Sequence, residues 1–347
     1  QNNFTKVRIS SSLLVLLIGA SFLWACSKTD APVVNPAPTN LTVTATVSTD
    51  NSGNVNFVAS ATNATTYEYD FGNGVFQTVP TGTVMYKYPA SGSYTVNVIA
   101  KNAAGQTISK SIPVSVTVAF SLLWSDEFDQ PGAPNPAKWG YDVGAGGWGN
   151  QELQYYTNRT DNAIVSNGTL KIIAKKETYS GSSYTSARLL TKDKFSFKYG
   201  KVEVRAKMPV GVGTWPAAWM LGANINTVSW PNCGEIDIVE HKGSDVNKIY
   251  GTLHYPGNFG GNAVGGTKII SGATTDFHIY TSEWTATTIK FYVDDVLYYS
   301  FANNNTLPFN QNFFVLLNLA MGGTFGGAVD AGFSNATFEV DYVRVYQ

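Results

Sequence analysis

Gly234-Glu-Ile-Asp-Ile-Val-Glu-His241 reads as a β-strand in which acids and β-branched aliphatics share one short run. Alternate side chains of a strand lie on one face, so Glu235 and Asp237 point together while Ile236 and Ile238 point the other way. Glu240 breaks the alternation. It stands five positions after Glu235, and a regular strand would turn it to the aliphatic face. One extra residue in a β-bulge within Ile238-Val239 restores the phase and brings all three acids to one side. A strand with acids on one face and isoleucines on the other predicts a sheet that packs its aliphatic face on a core.

The spacing bears on chemistry. With a bulge, Glu235 and Glu240 are effectively four residues apart, roughly 13 Å between Cα atoms at a rise of about 3.3 Å. Each side chain reaches roughly 4 Å toward the other, which leaves about 5 Å between carboxyls, the separation of a retaining rather than an inverting glycosidase. Crowded carboxylates also push one another's proton affinities apart, so one can stay protonated near neutrality. Two other readings of the octapeptide stay open here: acids solvated on an open sheet face, and carboxylates in a row holding calcium.

Outward from this strand the text stays β-rich from about residue 120 to the end. Val202, Val204 and Ala206 alternate with Glu203, Arg205 and Lys207. Ile289, Phe291 and Val293 run into Asp294-Asp295, after which Val296 and Tyr298 return, a hairpin over a two-residue turn. No window sustains a 3.6-residue period, so helices should be few and short. The expected fold is all-β, with a large sandwich or jelly roll over residues 119–347. Before it, Leu41, Val43 and Ala45 alternate with threonines, and similar runs recur at Val55 to Ala59, Tyr94 to Ala100 and Ile112 to Val118. They predict a small Ig-like β-sandwich over 40–118.

The composition agrees with a neutral ligand. The 347 residues carry a net charge of -1 and only 14% charged side chains, which argues against nucleic acid as a partner. Aromatics reach 13%, and aromatic rings suit the C–H faces of sugars. Trp148, Trp215, Trp219 and Trp230 are candidates for stacking, with Trp215 and Trp219 on one face of a regular strand. Core packing is the competing role for each. Of the three histidines, His254 shares a face with Thr252, His241 should oppose Glu240, and His278 reads as structural. None has zinc-ligand spacing.

There are two cysteines, Cys26 and Cys233. Lys6 and Arg8 precede an apolar run from Leu13 to Ala25 that is too short to span a bilayer, so 1–25 reads as a secretory signal. Its end, Leu23-Trp-Ala-Cys26, resembles the lipobox of bacterial lipoproteins, with Trp24 bulkier than that family's usual residue. The resemblance implies cleavage before Cys26, lipidation of its thiol and an anchor in the bacterial envelope, at the outer membrane or cell surface. An ordinary cleaved signal is the alternative. Lipidation would leave Cys233 without a partner, so no disulfide is expected. Residues 26–39 then form the lipidated Cys and a Pro-rich linker.

Tyr67-Glu-Tyr-Asp-Phe-Gly-Asn-Gly74, Tyr86-Lys-Tyr88 and Gly92-Ser-Tyr-Thr-Val96 resemble the polycystic kidney disease (PKD) domain, with Tyr69 for its usual Trp and Asn73 for its second Asp. That family implies a spacer or weak binding unit. Gly147-Trp-Gly-Asn-Gln-Glu-Leu-Gln-Tyr-Tyr-Thr157, Tyr184-Thr-Ser-Ala-Arg188, Gly213-Thr-Trp-Pro-Ala-Ala-Trp-Met-Leu-Gly222 and Trp230-Pro-Asn-Cys-Gly-Glu-Ile-Asp-Ile-Val-Glu240 resemble glycoside hydrolase family 16, in particular its laminarinase branch. Gly251-Thr-Leu-His-Tyr255, Asn318-Leu-Ala-Met-Gly-Gly323 and Val340-Asp-Tyr-Val-Arg-Val-Tyr346 continue the match, in the family's order, over Trp124 to Gln347.

This second resemblance implies a concanavalin-like β-jelly-roll with a concave cleft, acting as a monomer on β-glucan without a cofactor for the chemistry. It assigns Glu235 as nucleophile, Glu240 as acid/base and Asp237 as the residue that tunes the nucleophile. Asn150, Arg188 and His254 match substrate-contacting positions, and Arg188 could equally pair with Glu152 or Glu203. Glu127, the Gly168 carbonyl and Asp341 match a structural calcium site. The inserted residue of the acid motif is typical of enzymes acting on β-1,3-glucans, and mixed β-1,3/1,4-glucan is a further candidate. Agarases share the longer motif, so agarase or carrageenase activity is the same-class alternative. A surface glycan-binding lipoprotein without catalysis is the alternative from another class.

Overall fold

The computed structural model describes residues 35–347, so the signal segment, Cys26 and its lipidation lie outside the described residues. The acid strand, Glu235–His241, is the third of seven in an antiparallel sheet. Across that sheet the order is Val264–Ile269, Lys248–His254, Glu235–His241, Thr214–Gly222, Phe313–Met321, Arg188–Leu190 and Gly140–Asp142. A second sheet of ten strands has Thr169–Tyr179, Asn335–Tyr346, Gly200–Lys207 and His278–Trp284 side by side at its middle.

One apolar core joins the two sheets. Met220, Ile236, Ile238, Leu253, Val315 and Leu317 come to it from the seven-stranded sheet, and Ile172, Val204, Phe291 and Phe338 from the ten-stranded one. Each such aliphatic or aromatic side chain contributes about 1.5–3 kcal/mol on full burial. The result is a jelly-roll sandwich whose inner faces are dry and whose outer faces carry the polar residues. Strand Gly200–Lys207 alternates buried and half-buried positions throughout. The hairpin forms as its spacing requires: Val293 pairs with Val296, and Asp294 and Asp295 take φ of 48° and 62°, the left-handed pair of a type I′ turn. Described helices amount to the single turn Gly323–Gly326 and the 3-10 turns Gly147–Gly149 and Gly260–Asn262. Among the described residues no helix is long and apolar enough to cross a membrane.

The N-terminal strands form a three-stranded sheet, Thr39–Val47, Asn54–Thr62 and Thr83–Lys87, and a four-stranded one, Phe76–Val79, Thr66–Asp70, Gly92–Lys101 and Thr107–Val116. Tyr69 is fully buried, and its hydroxyl donates to the Gly82 carbonyl. It thereby fills the place of the larger indole while keeping a polar tip satisfied. Asp70 Oδ1 accepts from the Gly72 amide at 2.9 Å and closes the turn after the Tyr67 strand. Phe76–Val79 is short and largely exposed, and for that reason left no buried alternation to read in sequence.

Candidate active site

The register of the acid strand contains the bulge. Glu235, Ile236 and Asp237 pair with His254, Leu253 and Thr252, and pairing resumes at Glu240 with Tyr250. Three steps on one strand thus oppose two on its neighbour. On the other side Asp237 pairs with Trp219 and Val239 with Ala218, so Ile238 is the residue passed over. Both bulge residues, Ile238 and Val239, are fully buried in the core. Their two aliphatic side chains hold the bulge on the dry side, and Glu240 returns to the face of Glu235 and Asp237. His241 falls on the opposite side, buried, with Nε2 3.1 Å from the Val246 carbonyl; burial holds its pKa below the usual value.

Neutral donors surround the acids. Trp230 Nε1 donates to Glu235 Oε2 at 3.0 Å. Trp215 Nε1 donates to Glu240 Oε1 at 3.0 Å, and Thr252 Oγ1 donates to Oε2 at 2.9 Å. His254 Nε2 lies 3.2 Å from Asp237 Oδ2 and 3.6 Å from Glu235 Oε1. Among the described residues no Lys or Arg forms an ion pair with any of the three acids. Burial, with Asp237 close by, pushes Glu235 up to about 8. Asp237 is raised well above the carboxylate range by burial and the neighbouring Glu240. Burial also raises Glu240, against the pull of the Thr252 and Trp215 donors. The group as a whole therefore keeps proton density into the neutral range, and its titration belongs to the set rather than to any one member.

Four tryptophans take different places. Trp230 is 41% exposed, its ring tilted over His254 and edge-on to Phe259, which is itself 43% exposed. Trp215 stands beside Phe325 with centroids 5.1 Å apart. Trp219 is buried, with Nε1 donating to Asn318 Oδ1 at 2.8 Å, so it forms floor rather than wall. Trp148 sits in the turn Gly147–Gly149 at φ 50°. Arg188 lies over both Trp148 and Trp219, at 5.1 and 4.7 Å.

Arg188 pairs with neither Glu152 nor Glu203. Its Nε is 3.0 Å from Asp142 Oδ2, on the strand beside it, while Glu203 belongs to the other sheet and meets Lys201. Asn150 donates to Glu152 Oε1 at 3.2 Å, and Glu152 also receives Gln154 and the Tyr156 hydroxyl. Tyr156 in turn accepts from Asn318. Cys233 is a free, fully buried thiol packed with Leu221 and Phe314, as expected of a small apolar residue; burial pushes its pKa up to about 11. His278 pairs with Asp294 at 2.7 Å.

The calcium expectation does not fit the side chains present. Glu127 is a two-oxygen partner of Arg344, at 3.0 and 2.8 Å, and Asp341 is held by Arg205 at 2.5 Å. Both carboxylates are thus already met by guanidinium groups. A different trio, Glu235, Asp237 and His254, has ligand-type atoms within 4.8 Å of one another. The Gly260 amide, however, donates to His254 Nδ1 at 3.1 Å. Nδ1 is then the acceptor, Nε2 carries the proton, and the trio offers a donor where a metal would need a lone pair.

Sequence reading passed over Phe259, Phe325, Tyr250 and Asp142, all contributed by neighbouring strands or loops. Thr252 was visible only as a residue sharing the face of His254. Its hydrogen bond to Glu240 depends on the bulge, which shifts the pairing by one.

Comparison with known proteins follows the same residues. The sequence profile described as glycosyl hydrolases family 16 matches residues 150–344, and that of the PKD domain matches 31–116. A protein named beta-glucanase from Rhodothermus marinus is 48% identical over 244 residues, covering 66% of this chain and 85% of that one. The X-ray structure of the laminarinase from Rhodothermus marinus superposes with a TM-score of 0.63 at 48% identity, over 66% of this chain and 98% of that one. LamA from Zobellia galactanivorans, solved with laminaritriose and laminaritetraose, gives a TM-score of 0.62 at 46% identity, over 66% of this chain and all of that one, 100%.

Proposed function

The chain belongs to glycosyl hydrolases family 16, and on that premise we propose that it is a retaining endo-β-1,3-glucanase working by double displacement. The observation that carries this reading is the bulged acid strand: three carboxylates on one sheet face, Asp237 and Glu240 buried and Glu235 half-buried, touched by neutral N–H and O–H donors rather than by cations. In the first step the Glu235 carboxylate attacks the anomeric carbon as the glycosidic C–O bond breaks. Glu240, protonated, gives its proton to the leaving oxygen. The product is a glycosyl ester on Glu235. Glu240, now a carboxylate, takes a proton from water, which attacks the same carbon and frees Glu235. Asp237, between them on the strand, shares a proton with the nucleophile and holds its charge in check.

A raised proton affinity at Glu240 suits this cycle, because an acid that is fully ionised at working pH cannot donate. Trp230 and Trp215 flank the acids at opposite ends of the strand, one beside Glu235 and one beside Glu240. Their rings are the surfaces offered to sugar rings, with Arg188, Asn150 and Trp148 beyond them. The chemistry needs no cofactor. Activity on mixed β-1,3/1,4-glucan belongs to the same proposal.

Sugar release from laminarin, lichenan, agarose and carrageenan, measured side by side, tests the substrate. Laminarin should lead, with lichenan next. Release from agarose or carrageenan alone would move the substrate to a galactan, and release from none would make the chain a glycan-binding protein.

Two further elements rest on sequence. The Leu23-Trp-Ala-Cys26 segment supports secretion and a lipid anchor in the bacterial envelope. A Cys26→Ser chain that still partitions into detergent would contradict it.

A further inference from the structure

His254 faces both Glu235 and Asp237, and its two ring nitrogens are differently engaged. Nδ1 accepts the Gly260 amide at 3.1 Å. Nε2 faces Asp237 Oδ2 at 3.2 Å and Glu235 Oε1 at 3.6 Å, outside good alignment with either. Asp237 Oδ2 is buried and has no hydrogen bond of its own. A single N–H is therefore aimed between two carboxylates, one of which lacks a donor.

The other oxygen of the nucleophile is treated alike. Glu235 Oε2 receives the Trp230 indole N–H, and the Trp230 ring is backed edge-on by Phe259. Phe259 and Gly260 are adjacent residues that follow directly on the turn closed by paired backbone hydrogen bonds between Tyr255 and Asn258. One loop thus buttresses both neutral donors that address Glu235, through a ring on one side and an amide on the other.

We infer that His254 is a positioning residue for the nucleophile: the Gly260 amide fixes it as the Nε2–H tautomer, and that proton orients Glu235 and Asp237. This rests on the glucanase reading above. The logic is electrostatic. An imidazolium beside Glu235 would hold the carboxylate as a strongly stabilised anion and blunt its attack. A neutral N–H orients the carboxylate without adding a charge, and it can follow the proton shared with Asp237 as the glycosyl ester forms and breaks. The Gly260 amide leaves Nδ1 as the acceptor, so the ring N–H sits on Nε2, the nitrogen that faces the two acids.

The test combines a spectroscopic reading with two substitutions. In the 15N-labelled full chain, the ring-nitrogen resonances absent from His254→Gln identify His254 and report its tautomer. They should show a protonated Nε2 and an acceptor Nδ1 through the pH range of activity; a protonated Nδ1 would overturn the proposal. Gln can place its amide N–H near the position of Nε2, whereas Asn reaches only that of Nδ1. His254→Asn should therefore lose about 10–100-fold in kcat on laminarin with KM nearly unchanged, and His254→Gln should recover most of it. Equal loss in both variants, or a loss confined to KM, would overturn the positioning role with the glucanase reading intact. A wild-type chain inert on laminarin would overturn that reading, and the inference with it, while the tautomer would still be measurable.

Discussion

The two outer faces of the sandwich treat acidic residues in opposite ways. On the ten-stranded sheet each acid has a cation: Glu127 with Arg344, Glu203 with Lys201, Asp341 with Arg205, and Glu339 with Lys207 and Lys171. Hydrogen bonding from Arg344 holds Glu127 below the usual carboxylate range. Burial pulls Glu339 upward, but the lysines and Thr169 outweigh it and its pKa is also lowered. On the seven-stranded sheet Glu235, Asp237 and Glu240 have no such cation, and all three are raised. The first arrangement is what stability favours. The second costs stability and leaves the acids with protons to give, which is the mark of a working site.

The largest way to break this contrast is at the nucleophile. Glu235→Gln should reduce laminarin hydrolysis by roughly 10⁴-fold or more, the scale seen when a member of a covalent-catalysis set is removed. An unchanged rate would show that Glu235 carries no covalent step. Glu240→Ala comes next, with a loss of about 10²–10⁴-fold on polysaccharide. Aryl glycosides with good leaving groups need no proton, so the same variant should be far less impaired on them. An equal loss on both substrates would remove Glu240 from the acid role.

A third test concerns stability and pH. The usual value for Glu235 is 4.5 and its folded value is about 8. Between these the native state binds more protons than the unfolded chain, so stability falls as pH rises through that window. Glu235→Gln removes this contribution. Its melting temperature should draw ahead of wild type from about pH 5 to about pH 8, by about 2–4 °C per kcal/mol released, and match wild type near pH 4. A constant offset across the range would contradict the raised proton affinity. The smallest effect is expected on the opposite face. Glu127→Gln breaks a half-exposed pair and should cost at most about 1 kcal/mol, with kcat untouched.

How far the sequence could be read also differs between the faces. The acid strand was legible because its five-residue spacing is wrong for a plain strand and only a bulge repairs it. The Val202 strand and the Asp294-Asp295 hairpin were legible from period two and turn chemistry. The cation pairs on the ten-stranded sheet were not. Glu127 and Arg344 are far apart in the chain, and their meeting depends on the register of the first and last strands of the large sandwich. Strand register likewise sets Glu127 and Asp341, the carboxylates of the expected calcium set, each beside an arginine. Arg188 is a similar case, because Asp142 is placed beside it by strand order alone. The Gly260 bond to His254 was hidden for another reason: a backbone amide leaves no trace in residue identity.

The stereochemistry of the released sugar tests the central claim most directly. Proton NMR of laminarin oligosaccharides during the first minutes of hydrolysis separates the two anomers before they equilibrate. Double displacement through Glu235 predicts that the β-anomer accumulates first, with the α-anomer appearing only by mutarotation. If the α-anomer forms first, the bond is cleaved in a single displacement, and Glu235 is not the nucleophile.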